Sequence, residues 1–346
     1  MNAGVNLVRF LLAFNVTAFH LWNSLARGAG PVAVMGFFWL SGYVTTQTTQ
    51  EVYTTARRSG AFLVNRVLRI YPQYIAAVLL SLAALAFFPQ AADHINNYIS
   101  WPDGWREWIP QFAIFGLYGS QVRLLPATWV LGTELWFDLV IGLVTGHSRT
   151  ATIALVAVSV PVGVLCALGV LPIGFYGNPV GNAFVFALGS LTYFYRDSVR
   201  IGRVTLAVAC AAYLLHTYAI PLLEDNDLDY GNISASLASF SPIVVYLLQN
   251  DFAAEWLASL SNFLGRLSYP VFLTHWTVCV FVSAIFLHGR ASFDAHGLVD
   301  GGIYFAIMFA AVVALSVVFY FLIDKPVERL RGWVRSRSGA ARGQAQ

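Results

Sequence analysis

The sequence predicts an all-α, polytopic integral membrane helix bundle of about ten transmembrane helices, with both termini cytoplasmic. Three observations carry this expectation. First, the 346-residue chain is 58% hydrophobic and only 11% charged, less than half of the roughly 25% charged residues usual in soluble domains. Its mean hydropathy is +0.66. Second, apolar runs near the ~20 residues that a helix needs to cross a bilayer recur along its whole length. Third, Lys and Arg collect on one side of the resulting weave, as they do in cytoplasmic loops. The three cysteines, Cys166, Cys210 and Cys279, are scattered in apolar runs. A disulfide framework or a CxxC metal or redox site is thereby excluded.

The first run, 5–26, contains RFLLAFNVTAFHLW (9–22). No Lys/Arg cluster precedes it and no small-residue cleavage site follows, so it is expected to be retained as a span. Arg9 and His20 are 11 residues apart, which returns them to within about 20° of one helical face, about 16 Å apart along the axis. The second run, 31–48, holds FFWLSGYV with Ser41 and Gly42 mid-span, where small residues permit close packing. NRVLRIYP (65–72) sets Arg66 and Arg69 at i, i+3 just before the third run, 71–89. Two such cations at an inner surface suit either lipid headgroups or the phosphates of a cytoplasmic ligand. The longest outer loop, about 90–126, includes WIPQFAIFGLYG (108–119), too short to span and therefore interfacial or re-entrant. The fourth run, 127–146, opens with PATWVLGTELWFDLV and carries Glu134 about two turns in, with Asp138 beyond it.

Runs at 150–171, 179–195, 202–222 and 233–249 follow, separated by turn signals such as GNP (177–179) and EDNDLDYGN (224–232). His216 has no polar company and reads as structural. The ninth run, 268–288, carries RLSYPVFLTHW (266–276), with His275 about two turns from its inner end. DAHGLVDGG (294–302) separates it from the last run, 302–323. One membrane domain, 1–330, then gives way to a basic, small-residue tail, 331–346, expected to be disordered. On this weave 15 of the 20 Lys and Arg fall on the cytoplasmic side, and a single miscounted span would scramble that bias.

Ionisable groups inside spans are costly and mark functional sites by default. Here they are Arg9, His20, Glu134, Asp138, His216 and His275. A carboxylate at the depth of Glu134 needs a partner, and a histidine at similar depth, His20, is the obvious one.

In order, these segments resemble the acyltransferase family 3 membrane proteins, the O-acetyltransferases of lipopolysaccharide, exopolysaccharide and nodulation-factor sugars. The motifs are Arg-x10-His (Arg9, His20), FF-x-LSG[FY] (Phe37 to Tyr43), RxxRIYP (Arg66 to Pro72), W-x-L-x2-E (Trp129 to Glu134) and LSYP-x4-H (Leu267 to His275). An E-K-P motif closes the set as Asp324-Lys325-Pro326, with Asp where the family usually has Glu. A second acyl-handling step by an extracytoplasmic hydrolase-like domain, which some relatives carry, is not expected here.

The resemblance implies transfer of an acyl group, most often acetyl, from cytoplasmic acetyl-CoA or another acyl-CoA to a hydroxyl of a cell-surface or lipid-linked glycan. It implies His20, Arg9 and Glu134 as catalytic residues, with His20 the general base and Glu134 fixing its tautomer. Arg66, Arg69, Ser41 and Tyr71 would bind the donor, and Trp129, Ser268 and His275 the acceptor. No metal is required and no nucleic acid is expected. The partners are the glycan and membrane lipids, and the setting is a bacterial inner membrane. Two competing accounts are an acyltransferase for a lipid or small-molecule alcohol, and a non-enzymatic transporter of a lipid-linked sugar.

Overall fold

The computed structural model describes residues 2–55, 58–224, 230–250, 254–286 and 298–337. Its first helices are α1 (Ala3–Leu21), the short α2 (Asn23–Ala26), α3 (Ala29–Glu51) and α4 (Ser59–Phe87). Next come α5 (Pro89–Ile95), α6 (Trp105–Ala113), α7 (Trp129–Leu143), α8 (Arg149–Ala167) and α9 (Pro179–Tyr195). α10 (Arg203–Leu214) passes through a π-helical turn (Leu215–Ala219) into α11 (Ile220–Glu224). α12 (Tyr230–Gln249) and α13 (Glu255–Phe286) follow. α14 (Leu298–Phe319) continues through a second π-helical turn (Tyr320–Asp324) into α15 (Lys325–Arg337). Among the described residues there is no strand.

Local sequence sets several helix starts. Asn2 Oδ1 accepts the Gly4 amide at 2.7 Å, and Asn178 Oδ1 accepts that of Val180 at 2.9 Å, each satisfying an orphan N–H of a first turn. The GNP signal works as read: Gly177 has φ 82°, Asn178 caps, and Pro179 takes the first helical position of α9.

Side-chain contacts give the weave. At one end of the bundle meet the start of α1, the end of α3, the link after α9 and the end of α12. Asn2, Tyr43, Gln47, Arg196 and Gln249 border one hollow there. Gln50 donates to the carbonyl of Gly146 at 2.8 Å, and Arg331 donates to Asn65 at 2.8 Å. At the opposite end Gly301 and Gly302 abut Trp22, Phe88 meets Phe281, and His216 meets Asn232. Successive long helices therefore alternate in direction, and α1 and α13 run parallel, joined by Asn6–Asn262 near one end and His20–His275 toward the other.

Among the described residues all ten expected runs are largely helical, and seven helical stretches are long and apolar enough to cross a membrane. The runs at α3, α7 and α9 are outside that set. α7 and α9 have 15 and 17 residues, about 22 and 26 Å against a core of about 30 Å. α3 is long enough at 23 residues but ends in TTQTTQE. The most apolar window of α13 is 72% buried in protein, whereas that of α10–α11 is 17% buried. α13 is thus the central post, and α10–α11 faces outward.

Helix contacts within the bundle rely on small residues and hydroxyls. α3 and α9 cross with backbones touching: a Cβ on Gly42 would collide with the Phe186 carbonyl, and one on Gly189 with that of Trp39. Thr46 and Ser190 share a hydrogen bond of 2.6 Å beside that crossing.

Two expectations change. α4 begins at Ser59, about three turns before the expected 71, so Arg66 and Arg69 lie inside a helix instead of ahead of it. At 29 residues it is about 43 Å long, which leaves room for charged turns. The final helix continues past 331 to Arg337, held by Asn65 and by Glu328, which Arg331 contacts at 2.6 Å. The first part of the expected disordered tail is therefore helix. Residues 338–346 lie outside the described residues, as do Arg57, Arg290 and, within the loops read at 224–232 and 294–302, residues 225–229 and 294–297.

Candidate active site

A cavity of about 740 Å³, part of it open to the exterior, lies between α1, α3, α4, α7 and α13. Its polar lining is Arg9, Arg66, Arg69, Glu134, Ser41 and Ser268; Phe37, Leu40, Leu131, Tyr269 and Phe272 supply much of the apolar remainder. Pro72 in α4 and Pro270 in α13 each remove a helical hydrogen bond beside it.

Three guanidiniums face one carboxylate here. Arg66 forms an ion pair with Asp138 and also donates to Thr45 Oγ1, which itself donates to Asp138 at 2.7 Å. The Asp138 side chain is 3% exposed, so the pair is desolvated, and its Oδ2 and the Arg66 Nε have no hydrogen-bond partner. Ser41 donates to Glu134 at 3.0 Å. Arg9 and Arg69 make no hydrogen bond or close ion pair among the described residues. With Asp138 committed to Arg66, Glu134 is the one carboxylate that lines the cavity beside Arg9 and Arg69, while Asp324, which accepts from Gln73, acts on them from outside the lining. A buried cation without a partner is costly, so the cavity is built to receive an anion, for which Arg offers bidentate geometry.

A second cluster lies beyond the cavity. The rings of His20 and His275 stack at 5.4 Å and 10°, and Trp276 lies 4.8 Å from His20. His275 is fully buried, and its Nδ1 is 2.8 Å from the Phe272 carbonyl. A carbonyl only accepts, so Nδ1 carries the proton and Nε2 keeps a lone pair. That Nε2 has no hydrogen-bond partner, nor do the buried Trp276 Nε1 and Thr277 Oγ1.

The sequence-derived residues thus divide into groups. Arg9, Arg66, Arg69, Ser41, Glu134 and Ser268 share the cavity. His20 and His275 form the separate stack. Tyr71 donates to the Ala113 carbonyl at 2.9 Å, and Trp129 packs edge-on to Phe38 and Tyr176; neither lines the cavity. His216 is held by Asn232 at 3.0 Å, away from both clusters.

The expected His20–Glu134 partnership is overturned. Glu134 bonds Ser41 at the level of the arginines, and His20 neighbours His275. The reason lies upstream of α7. Tyr74 donates to the Gln111 carbonyl at 2.6 Å, and Gly132 abuts the Ile114 carbonyl. The segment 110–117 therefore dips to the middle of α4, and α7 starts from a buried loop. Glu134 is deeper than a count from the outer surface gives. The headgroup reading of Arg66 and Arg69 also gives way, since both line an internal cavity.

Sequence reasoning marked Asp138 as an in-span carboxylate but gave it no partner or role, and it passed over Thr45; the two hold Arg66. The available signal was the i, i+4 spacing of Glu134 and Asp138, which puts two carboxylates on one face of α7.

No curated protein and no solved structure matches the chain. A protein-family model described as "Acyltransferase domain" (Acyl_transf_3) matches residues 2–321. That span runs from the cap of α1 into the second π-helical turn and includes the cavity and the histidine stack. The chain belongs to this acyltransferase family and is an integral membrane acyltransferase.

Proposed function

We propose that this protein moves an acyl group, acetyl foremost, from cytoplasmic acyl-CoA to a hydroxyl of a cell-surface or lipid-linked glycan at a bacterial inner membrane. The observation that carries the reading is the pair of uncommitted guanidiniums, Arg9 and Arg69, in a cavity within the bundle. Coenzyme A is a polyanion that cannot enter hydrocarbon, so its phosphates need cations on the protein. The end of the bundle where α1 starts and α3 ends also carries Arg58, Arg149, Arg196, Arg200 and Arg203, which supports a cytoplasmic orientation of that end.

In this reading Arg9, Arg66 and Arg69 hold the donor's phosphates, with Ser41 and Glu134 fixing the charge balance. The pantetheine arm extends toward the histidine stack. His20 takes the proton of the acceptor hydroxyl as its oxygen bonds to the thioester carbonyl carbon. The C–S bond then breaks, and the His20 imidazolium returns the proton to the departing CoA thiolate. His275, its Nδ1–H tied to Phe272, offers its Nε2 lone pair to orient the hydroxyl.

Inverted membrane vesicles given radiolabelled acetyl-CoA and the host's glycan fraction test this directly. Wild type should label the glycan, and His20→Ala at equal protein level should lose about 100- to 10,000-fold of the rate. Absence of label with wild type overturns the glycan acetylation, and equal transfer by both removes His20 as the base.

A further inference from the structure

The cavity with the arginines and the stack with the histidines do not join. α3 and α13 run in opposite directions, and each shows where the cavity stops. Going along α3 from its histidine-side end, Phe37 is the first residue to line the cavity; along α13 toward that end, Phe272 is the last. These two rings meet edge to face, 6.0 Å apart at 66°. One turn beyond Phe272 comes His275, with its ring 6.4 Å from that of Phe272 and its Nδ1 held by the Phe272 carbonyl. An aromatic pair thus forms the wall between anion site and imidazoles. If phosphates bind at Arg9 and Arg69 and chemistry occurs at His20, the acyl group must pass this wall.

We propose that Phe37 and Phe272 are an aromatic gate that, together with the packed rings behind it, sets which acyl groups reach the histidines, admitting short chains and excluding long ones. This rests on the acyl-CoA reading above. The rings differ in freedom: Phe272 is 4% exposed and packed in the core, whereas Phe37 is only partly buried. Phe37 is accordingly the moving leaf and Phe272 the fixed one. Rotation of one aromatic side chain opens a slot about one ring thick. That passes an unbranched acyl chain end-on, but behind it the rings of His20, His275 and Trp276 lie 4.8–5.7 Å apart, so each methylene beyond a short chain must displace packed atoms, for which discrimination of about tenfold or more per group is usual. Neither ring carries a charge, so the gate sorts by shape alone and leaves phosphate binding to the arginines.

Transfer rates from acetyl-, butyryl- and octanoyl-CoA in wild type, Phe37→Ala and Phe37→Leu test the gate. Wild type should fall steeply along the series. Phe37→Ala should raise the octanoyl-to-acetyl ratio of kcat/KM by about tenfold or more, with Phe37→Leu between, while the Kd for unacylated CoA stays put. An unchanged ratio in both variants overturns the gate. A shift that comes wholly with a changed CoA Kd overturns it too, because Phe37 would then act on the anion site.

If wild type transfers from no acyl-CoA, the functional reading fails and a separate measurement judges the gate. In a background with Cys166, Cys210 and Cys279 replaced, H20C is exposed to a small, membrane-impermeant thiol reagent in sealed vesicles of each orientation. Adding Phe37→Ala should speed labelling about tenfold from the arginine side only. Equal labelling with and without Phe37→Ala overturns the gate.

Discussion

At the scale of single residues, the arginines differ in what holds them. Arg66 is bound to Asp138 and Thr45, so its charge belongs to the fold as much as to any ligand. Removing one partner of a buried pair strands the other and costs about 3–5 kcal/mol. Asp138→Asn should therefore lower the unfolding temperature of the detergent-solubilised protein clearly; a midpoint within a degree of wild type would show the pair to be dispensable. Arg69 has no such tie, and its loss should act on the donor. Arg69→Ala should raise the KM for acyl-CoA about 10- to 100-fold with kcat nearly intact, since a phosphate contact away from the reacting carbon is uniform binding. An unchanged KM would detach Arg69 from the donor. The common face of Arg9 and His20 was legible from their spacing alone. The neighbours of each were not: the partner of Glu134 depends on where the chain enters the bundle, and no count along α7 contains that.

At the scale of elements, the informative piece is the dip between α6 and α7. The short run 108–119 reads as interfacial or re-entrant because it is apolar and cannot span. α6 presents Trp105, Ile109 and Phe112 outward while burying Gln111, whose side chain serves Val122 and Leu124. Non-helical backbone at this depth is tolerable only where protein surrounds it, and Tyr71, Tyr74 and Gln111 satisfy it. Its tip is Ile114, fully buried with φ 68°, the one non-glycine residue with positive φ among those described. Ile114→Gly would relieve about 1–2 kcal/mol of backbone strain but forfeit about 2–5 kcal/mol of buried side chain and packing. The second is larger, so the variant should unfold at a lower temperature; a higher midpoint would mean that strain dominates. The start of α4 was misread for a related reason. Arg66 and Arg69 look like the end of a span in hydropathy, yet a cavity inside the bundle lets a helix keep charged turns.

At the scale of the whole molecule, the alternating helix directions and the basic end agree with one another, and both were visible in the order of apolar runs and Arg-bearing links. The shortness of α9 was visible too, since the helix has the bounds of the expected run 179–195; that of α7 was not, because its ends follow from loops that pack inside. Orientation is open to measurement. Reporters active only in the cytoplasm should work when fused after Arg337 or within the α9–α10 link near Arg200, and stay silent within 96–104. Activity at 96–104 would invert the molecule.

The α3–α9 crossing bears on how the donor cavity deforms. With the carbonyls of Trp39 and Phe186 against bare glycines, and Thr46 bonded to Ser190, those two helices can neither approach nor slide. Ser41, beside Gly42, therefore stands on an immobile jaw of the cavity. The facing jaw is α4 and α13, each notched by a proline at the cavity's own depth. The site is built like a vice with one anvil and one hinged plate: whatever enters is accommodated by flexing at Pro72 and Pro270, while the Ser41–Glu134 side serves as the fixed reference against which every ligand is measured.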